Sequence, residues 1–280
     1  MPQHTASSEP PWALRLLPPF PAVAHRIVAL VSQEDVSIRE VEKLVKMDPS
    51  FSAELLGLAN SAMFAVRREV KSLSTAVMMV GLDRVKTMAT LVAVNRIVRS
   101  SLRLEALRKI WIHSLVTALV AERAAQAAGL FGDSAYTAGL LHNLGTLGLM
   151  STFPGEYAGM LETADDGGFD LLAREQELFD IDHCLAGAYL AHDWDFPEEL
   201  SDAIAAHHDE PAANERSLAN LVRISWRLSD TLGYAAFATD QIWPYEDLVA
   251  LLPGAAASRF GRSAEEVESE IRERLAGVPI

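Results

Sequence analysis

The chain has 280 residues, 50% of them hydrophobic, with a formal net charge of −14 and one cysteine. It can bury a substantial core, while Cys184 excludes an internal disulfide and has no partner that the sequence identifies. Because no apolar run approaches the roughly 18 residues of a membrane span and no signal-peptide pattern opens the chain, we expect a globular protein of the cytoplasm that does not contact membranes.

Helical signals run through nearly the whole chain, and no alternation typical of strands occurs. Ser37 and Glu40 form a capping-box pattern, which predicts that a helix starts near Ser37. Asp48 followed by Pro49 predicts a second start, because Asp caps free amides and Pro suits the first turn. The buried face of this second helix would comprise Phe51, Leu55, Leu58, Ala59 and Ala62.

Gly81 and Asp83 separate two further predicted helices, the second of which begins with basic residues. This arrangement invites a DNA-binding helix-turn-helix interpretation. However, the small residue Ala76 lies one position further from Gly81 than that motif commonly uses, and short connections between antiparallel helices have the same punctuation. DNA recognition is therefore the weaker interpretation here.

The segment 67–109 holds ten Lys or Arg and three Asp or Glu, a balance of +7, whereas residues 110–280 have a balance of −19. The overall charge argues against general polyanion binding, so this segment is the only candidate anion-binding surface. A solvated helix face or a patch that docks against the acidic half is the more common explanation of such a segment. The candidate anion-binding residues are Arg67, Arg68, Lys71, Arg84, Lys86, Arg96 and Arg99.

Beyond a charged junction at residues 103–109, the predicted helices carry histidines. His113 lies on a long helix whose small residues allow another helix to approach closely. Any single histidine on an apolar helix face usually supports packing, but several could converge if the helices form a bundle. The remaining polar groups of this series are His142, His183, His207, His208 and Asp230.

The last 45 residues contain a connection opened by Trp243 and Pro244 and then a terminal helix. Ser263 and Glu266 form its capping pattern, and Val267, Ile271 and Leu275 lie on one side of it. Such a helix either packs on the core or contacts a partner.

The N-terminal hundred residues resemble the HDOD family, the bacterial signalling relatives of HD-domain phosphohydrolases. The residues that carry this likeness are Leu17, Pro18, Pro21, Asp48, Pro49, the run 58–62, Ala76 and Gly81. In the second half they are the run 139–145, His183, Gly187, Trp194, Pro197, His207 and His208. The resemblance implies an all-α fold with two packed helical subdomains, the second a degenerate HD-like core. We predict a tail at 1–12, subdomains at 13–105 and 106–235, and a C-terminal helical extension at 236–280.

The resemblance also implies a metal site. In the HD superfamily a first histidine, a His-Asp doublet and a distant aspartate hold metal, and related two-metal phosphodiesterases add histidines. The corresponding positions here are His113, His142, Asn143, His183, His207, His208 and Asp230. Asn143 replaces the aspartate that can bridge two ions. The active HD-GYP relatives also have a lysine where this chain has Thr146. They have a Gly-Tyr-Pro sequence as well, and none follows His208 in this chain.

These departures predict a non-catalytic signal-transduction module that acts through protein contacts, with the degenerate pocket serving as structure or as a ligand sensor. The family's association with receiver and cyclic-dinucleotide domains, for which this chain has no room, implies that the signal arrives from a signalling partner. No cofactor is expected, although one weakly held Fe, Mn, Mg or Zn ion stays open. The alternatives are a residual metal-dependent phosphohydrolase, and nucleotide or nucleic-acid binding through the basic segment.

Overall fold

The computed structural model is helical throughout the residues that it describes, and no strand occurs among them, so the all-α prediction is confirmed. The described residues are 11–17, 30, 36–47, 52, 55–56, 59–60, 70–82, 84–85, 105–162, 170–194, 196–237 and 242–275. The second predicted helix start, at Asp48 and Pro49, lies outside them, although Leu55 and Ala59 from its predicted face are buried. The predicted domain boundaries stay predictions.

The described N-terminal residues include a short 3-10 helix, Trp12–Leu16, and the helices α1 (Ile38–Lys46) and α2 (Leu73–Val80). Helices α1 and α2 pack against each other. Helix α1 starts at the predicted capping box: the Ser37 hydroxyl accepts a hydrogen bond from the Glu40 amide at 3.3 Å, and the Glu40 carboxylate accepts one from the Ser37 amide at 3.2 Å. Two free amides of the first turn are thereby satisfied. Helix α2 ends at Gly81, as predicted, with a φ of 85° that favours glycine.

The histidine-bearing part is a bundle built around the long helix α3 (Glu105–Ala127). The helices that follow α3 are α4 (Gly132–Leu141), α5 (Leu144–Thr152), α6 (Pro154–Glu162), α7 (Leu171–Phe179), α8 (His183–Asp193), α9 (Glu198–Ala205) and α10 (Leu218–Thr231). Helix α3 packs against α4 and α10, α5 packs against α8, and α9 contacts both α8 and α10. None of the described helices is both long and apolar enough to cross a bilayer.

Two glycines allow the close helix crossings on which the bundle depends. A Cβ atom at Gly139 would lie 2.8 Å from the carbonyl oxygen of Thr117, and one at Gly145 would lie 1.9 Å from the carbonyl oxygen of His183. Both distances are shorter than packed atoms tolerate, so any larger residue would push α4 away from α3 or α5 away from α8. These crossings place the α4–α5 junction beside two histidine-bearing helices.

The C-terminal part contains α11 (Tyr245–Ala250), α12 (Ala257–Phe260) and α13 (Ala264–Leu275), of which only α13 was predicted from the sequence. The Ser263 hydroxyl accepts a hydrogen bond from the Glu266 amide at 3.3 Å, so the predicted cap is present. Helix α13 packs on α3, and its three predicted apolar residues are buried. Of the two alternatives for this helix, packing on the core is therefore correct.

Candidate functional site

His113 projects from α3 towards the end of α10. Its Nδ1 lies 2.8 Å from the carbonyl oxygen of Tyr234 and 3.4 Å from Oδ1 of Asp230. Because a carbonyl can only accept, Nδ1 carries the proton and donates, which leaves a lone pair on Nε2. Burial lowers the pKa of His113 to about 4 and raises that of Asp230 to about 7. At neutral pH His113 is therefore uncharged and Asp230 is only partly ionised.

His142 and Asn143 form the junction between α4 and α5. His142 donates from Nδ1 to the carbonyl oxygen of Gly139 at 2.6 Å, and its ring centroid lies 5.2 Å from that of His113. Asn143 occupies the N-cap position of α5, yet its side chain does not cap that helix, although asparagine is a preferred cap. Its Nδ2 instead donates a long hydrogen bond of 3.5 Å to the hydroxyl of Ser114. A neutral contact thus holds Asn143 against α3.

His183 begins α8 and is held by Glu175 on α7. One carboxylate oxygen of Glu175 accepts a hydrogen bond from the His183 amide at 2.8 Å and another from its Nδ1 at 2.6 Å, and the second oxygen accepts the hydroxyl of Tyr157. All three side chains are buried. Burial is the largest influence and lowers the pKa of His183, but the charge of Glu175, the hydrogen bonds to Cys184 and Glu175 and the charge of Cys184 together outweigh it, and the pKa lies well above its ordinary value. Without a bound ion, His183 is therefore protonated at both ring nitrogens at neutral pH.

His207 and His208 lie in the turn after α9 and not within a helix, which corrects the predicted helical placement. His207 donates from Nδ1 to the carbonyl oxygen of Ile204 at 2.7 Å. The indole N–H of Trp226 donates to the His207 carbonyl, and Arg227 donates to the His208 carbonyl at 3.1 Å. Burial, followed by repulsion from neighbouring histidines, lowers the pKa of His208 to about 3 and that of His207 well below its ordinary value. Trp226 and Arg227, both on α10, thus hold this turn in place through its carbonyl oxygens.

The predicted histidines converge into one cluster with two halves. The first half, called here the His113 group, comprises His113, His142 and Asp230. The second half, called the His183 group, comprises His183, His207 and His208. The ring centroids of His142 and His207 are 5.0 Å apart and join the two halves. Asn143, the remaining predicted ligand, makes its described hydrogen bond to Ser114, away from the His183 group.

The His183 group has the nitrogen spacing that one metal ion requires. The Nε2 atom of His183 lies 3.2 Å from Nε2 of His207 and 3.1 Å from Nε2 of His208. A tetrahedral ion with metal–nitrogen bonds of about 2.0–2.1 Å holds its nitrogens about 3.3 Å apart. The Nδ1 atoms of His183 and His207 are each engaged by an acceptor, as they are in metal-ligating histidines. These residues fit one ion.

The cluster does not fit two ions that share a carboxylate. Asn143 supplies a neutral amide at the doublet position, and Glu175, the buried carboxylate nearest to the His183 group, is already engaged by His183 and Tyr157. Asp230 lies on the far side of His113, as its contact with Nδ1 shows. The two-metal arrangement that the resemblance implies is therefore incomplete at its centre.

Sequence reasoning missed Glu175, Cys184 and Trp226. Glu175 lies four residues from both Leu171 and Phe179, and a carboxylate on such an apolar stripe is a usable signal of a buried partner. The sequence identified no partner for Cys184, and the structure places its buried sulfur 3.8 Å from Nδ1 of His207. Nothing in the local pattern distinguishes Trp226, because its role depends on where the turn after α9 lies.

The basic segment is only partly described. Arg84 pairs with buried Glu122 on α3, and its Nε lies 3.2 Å from Oδ1 of Asp133. Arg84 therefore docks against the acidic half of the chain, one of the alternatives left open by the charge pattern, while anion binding by the basic segment stays a prediction. Lys71 is exposed in the connection that precedes α2. The other candidates lie outside the described residues: Arg67, Arg68, Lys86, Arg96 and Arg99.

Comparison with known proteins places this geometry in context. A family model for the HDOD domain matches residues 17–210. An uncharacterised protein of Treponema pallidum (strain Nichols) is 29% identical over 202 residues, which are 71% of this chain but only 39% of that protein. This chain thus spans less than half the length of that relative.

Crystal structures share the fold. A Geobacter sulfurreducens HDOD domain protein of unknown function has a TM-score of 0.64 at 26% identity, over 94% of this chain and 85% of that one. A Marinobacter aquaeolei protein, provisionally described as a signal transduction protein, has a TM-score of 0.73 at 24% identity over 94% and 59% of the two chains. A Shewanella amazonensis protein, provisionally described as a phosphohydrolase, has a TM-score of 0.68 at 23% identity and covers 95% of each chain. The last two likenesses show the fold alone.

Proposed function

This chain belongs to the HDOD family, and from that premise we propose that it is a non-catalytic regulatory module that acts through contacts with a signalling protein. The observation that carries the proposal is the neutral amide of Asn143 beside His142, at the position where the resemblance implies a bridging aspartate. The histidine cluster then serves as a rigid core element of the module.

Electrostatics explains why one amide matters. Two divalent ions about 4 Å apart repel each other by roughly 17 kcal/mol at an effective dielectric constant of about 20. A bridging aspartate offsets much of this repulsion by placing a full negative charge between the ions. Asn143 contributes a dipole and no charge, while neutral histidines bind each ion without reducing the repulsion. The cluster therefore supports at most one ion under ordinary conditions.

Burial of the cluster supports the same proposal. The side chains of His113, His142, His183 and His207 are only 1–3% exposed, and neighbouring rings are in direct contact. A phosphodiester would have to displace these contacts before it reached an ion. His208, which is partly exposed, is the one histidine of the cluster with access to the surface.

The charge distribution indicates how a partner would be selected. Residues 110–280 carry a balance of −19, and Arg84 neutralises only the acids that it contacts on α3 and α4. The remaining acidic surface suits a signalling protein with a basic face, because complementary charge accelerates and orients association. We propose that this partner belongs to cyclic-dinucleotide signalling, as the family resemblance suggests.

Hydrolysis assays test the proposal directly. The purified chain is incubated with cyclic dinucleotides and generic phosphodiesters in the presence of Mn²⁺, Fe²⁺ or Mg²⁺, and we expect no turnover above the metal-only background. Turnover that is abolished in His142→Ala would overturn the proposal, because it would show that the cluster performs the chemistry. Partner capture from the native host, repeated at high salt, tests the predicted electrostatic association.

A residual metal-dependent phosphohydrolase is the second candidate, and the convergence of both histidine groups favours it. Its requirement is a tightly held redox-active or Lewis-acidic ion with an open coordination position. Metal analysis of protein purified without chelator, combined with the hydrolysis assays, separates the two candidates. Binding of nucleotide or nucleic acid through the basic segment stays a prediction, and a steep loss of affinity with added salt would be its signature.

A further inference from the structure

We infer that Cys184 joins His183, His207 and His208 to form a closed, four-coordinate site for one zinc-type ion. This inference goes beyond the proposed function, since a regulatory module needs no metal. It assigns a bound ion to the His183 group and a role to the single cysteine of the chain.

Geometry is the first argument. One ligand atom from each of the four residues lies within 4.8 Å of the others, and among the described residues this is the set that meets that condition. Around a tetrahedral ion, two nitrogen ligands lie about 3.3 Å apart, and a nitrogen and a sulfur ligand lie about 3.6 Å apart. The Nε2 atom of His183 already meets this spacing to Nε2 of both other histidines. The Cys184 sulfur lies within 4.8 Å of the ligand nitrogens, so a small movement of its side chain completes the site.

The scaffold is the second argument. His183 and Cys184 are adjacent in the first turn of α8, and the Asp182 side chain caps that turn by accepting a hydrogen bond from the Leu185 amide at 2.9 Å. The other two ligands lie in the turn that α10 holds through the Trp226 indole, whose ring also lies 4.8 Å from that of His208. Two ligand pairs are therefore carried by two fixed elements, as a preformed metal site requires.

Charge is the third argument. When an ion binds, His183 releases its Nε2 proton and Cys184 its thiol proton to solvent. A divalent ion bound to a thiolate and three neutral imidazoles then keeps one positive charge, which is costly in a buried site. The carboxylate of Glu175, 2.6 Å from Nδ1 of His183, brings the sum to zero. Thiolate and imidazole ligands favour zinc over magnesium and manganese, which prefer oxygen. Four protein ligands leave no open position for water, so the ion would stabilise structure and not catalyse hydrolysis.

Cobalt substitution tests the inference on the full chain under reducing conditions. Chelator-treated protein is titrated with Co²⁺, and we expect one equivalent to bind with the visible absorption of tetrahedral cobalt and a thiolate-to-cobalt charge-transfer band in the near ultraviolet. Cys184→Ser should abolish the charge-transfer band and weaken binding at least tenfold. His208→Ala should also weaken binding at least tenfold. The matched control is His192→Ala, an exposed histidine on the same helix, which should bind as the unsubstituted protein does.

Two outcomes would overturn the inference: no binding of Co²⁺ or Zn²⁺ at micromolar concentration, or binding without a charge-transfer band. X-ray absorption of the zinc-loaded protein detects a sulfur ligand without any substitution, so a shell of nitrogen and oxygen alone would overturn it even if Cys184→Ser failed to fold. These readouts do not depend on hydrolysis. A protein that hydrolyses phosphodiesters but shows the cobalt–thiolate band would contradict the proposed function and leave this site in place.

Discussion

Glu175 receives two hydrogen bonds from His183, one from the backbone amide at 2.8 Å and one from the ring at 2.6 Å, and no part of its side chain is exposed. The amide is one of the free donors at the start of α8, so a single carboxylate caps the helix and orients the ring. The same carboxylate accepts the Tyr157 hydroxyl. This relationship ties α6, α7 and α8 together at the His183 group.

Replacing Glu175 with alanine should therefore destabilise the protein strongly. We expect Glu175→Ala to lower the free energy of unfolding by roughly 3–5 kcal/mol, because it leaves the buried ring and amide of His183 and the buried hydroxyl of Tyr157 without their acceptor. Urea denaturation monitored by circular dichroism measures the change. Glu177 on the same helix pairs with Arg174 at the surface, so Glu177→Ala should change stability by less than about 1 kcal/mol. Equal effects of the two substitutions would contradict this account.

The crossing of α5 and α8 leads to a second prediction. Gly145→Ala should destabilise the protein by roughly 1–3 kcal/mol, because the added methyl group overlaps the His183 carbonyl and forces the helices apart. Gly159 lies on the exposed side of α6 with open space around its Cβ position, so Gly159→Ala should stabilise the protein by about 0.5–1 kcal/mol. The melting temperatures of Gly145→Ala and Gly159→Ala test the two expectations. A stabilised Gly145→Ala variant would show that the crossing is looser than described.

Glu122 connects three parts of the chain. Its two carboxylate oxygens contact Arg84 from the N-terminal part and Arg274 from α13, the latter at 2.6 Å. Glu122→Gln should cost roughly 1–3 kcal/mol, because both arginines lose their anion while retaining some contact with water. The control is Glu270→Gln, which removes a half-exposed partner of Arg123 and should cost less than about 1 kcal/mol. Urea midpoints that rank the two in the opposite order would refute the proposed role of Glu122.

The proposal that Asn143 represents a deleted charge makes a fourth prediction. Asn143→Asp should unfold at a lower temperature without metal and recover when Mn²⁺ is added, since binding at about 100 times the dissociation constant stabilises by about 2.7 kcal/mol. Asn220→Asp is the matched control. The Asn220 amide donates to the carbonyl oxygens of Ala212 and Glu215 and has no described hydrogen bond to a histidine, so Mn²⁺ should not rescue it. If Mn²⁺ leaves the melting temperature of Asn143→Asp unchanged, the explanation by a deleted charge is wrong.

Local sequence signals predicted several elements correctly. The start of α1, the end of α2 at Gly81 and the cap of α13 each depend on a side chain that bonds to backbone within four residues, or on a glycine with positive φ. Such interactions are encoded by neighbouring residues and therefore appear in the sequence itself. Helices α11 and α12 were missed because they are short and carry no side-chain cap.

The candidate site was predictable as a set of residues but not as an arrangement. Its histidines were identified through a family resemblance, whereas their division into a His113 group and a His183 group depends on which helices cross at Gly139 and Gly145. The inclusion of Cys184 likewise depends on the distance from α8 to the turn after α9. Pairs separated by twenty or more residues leave no periodic trace, so no window of sequence could have shown these contacts.

By itself, the sequence determined the helical class of this protein, its main helix caps and the replacement of an acid by Asn143, because each is a property of residue type or local spacing. Only the tertiary structure decided that Arg84 pairs with Glu122, that Glu175 supports His183, and that Nε2 of His183 lies 3.1–3.2 Å from Nε2 of two other histidines. The physical reason is that buried polar groups find their partners across helices, after the apolar faces have packed.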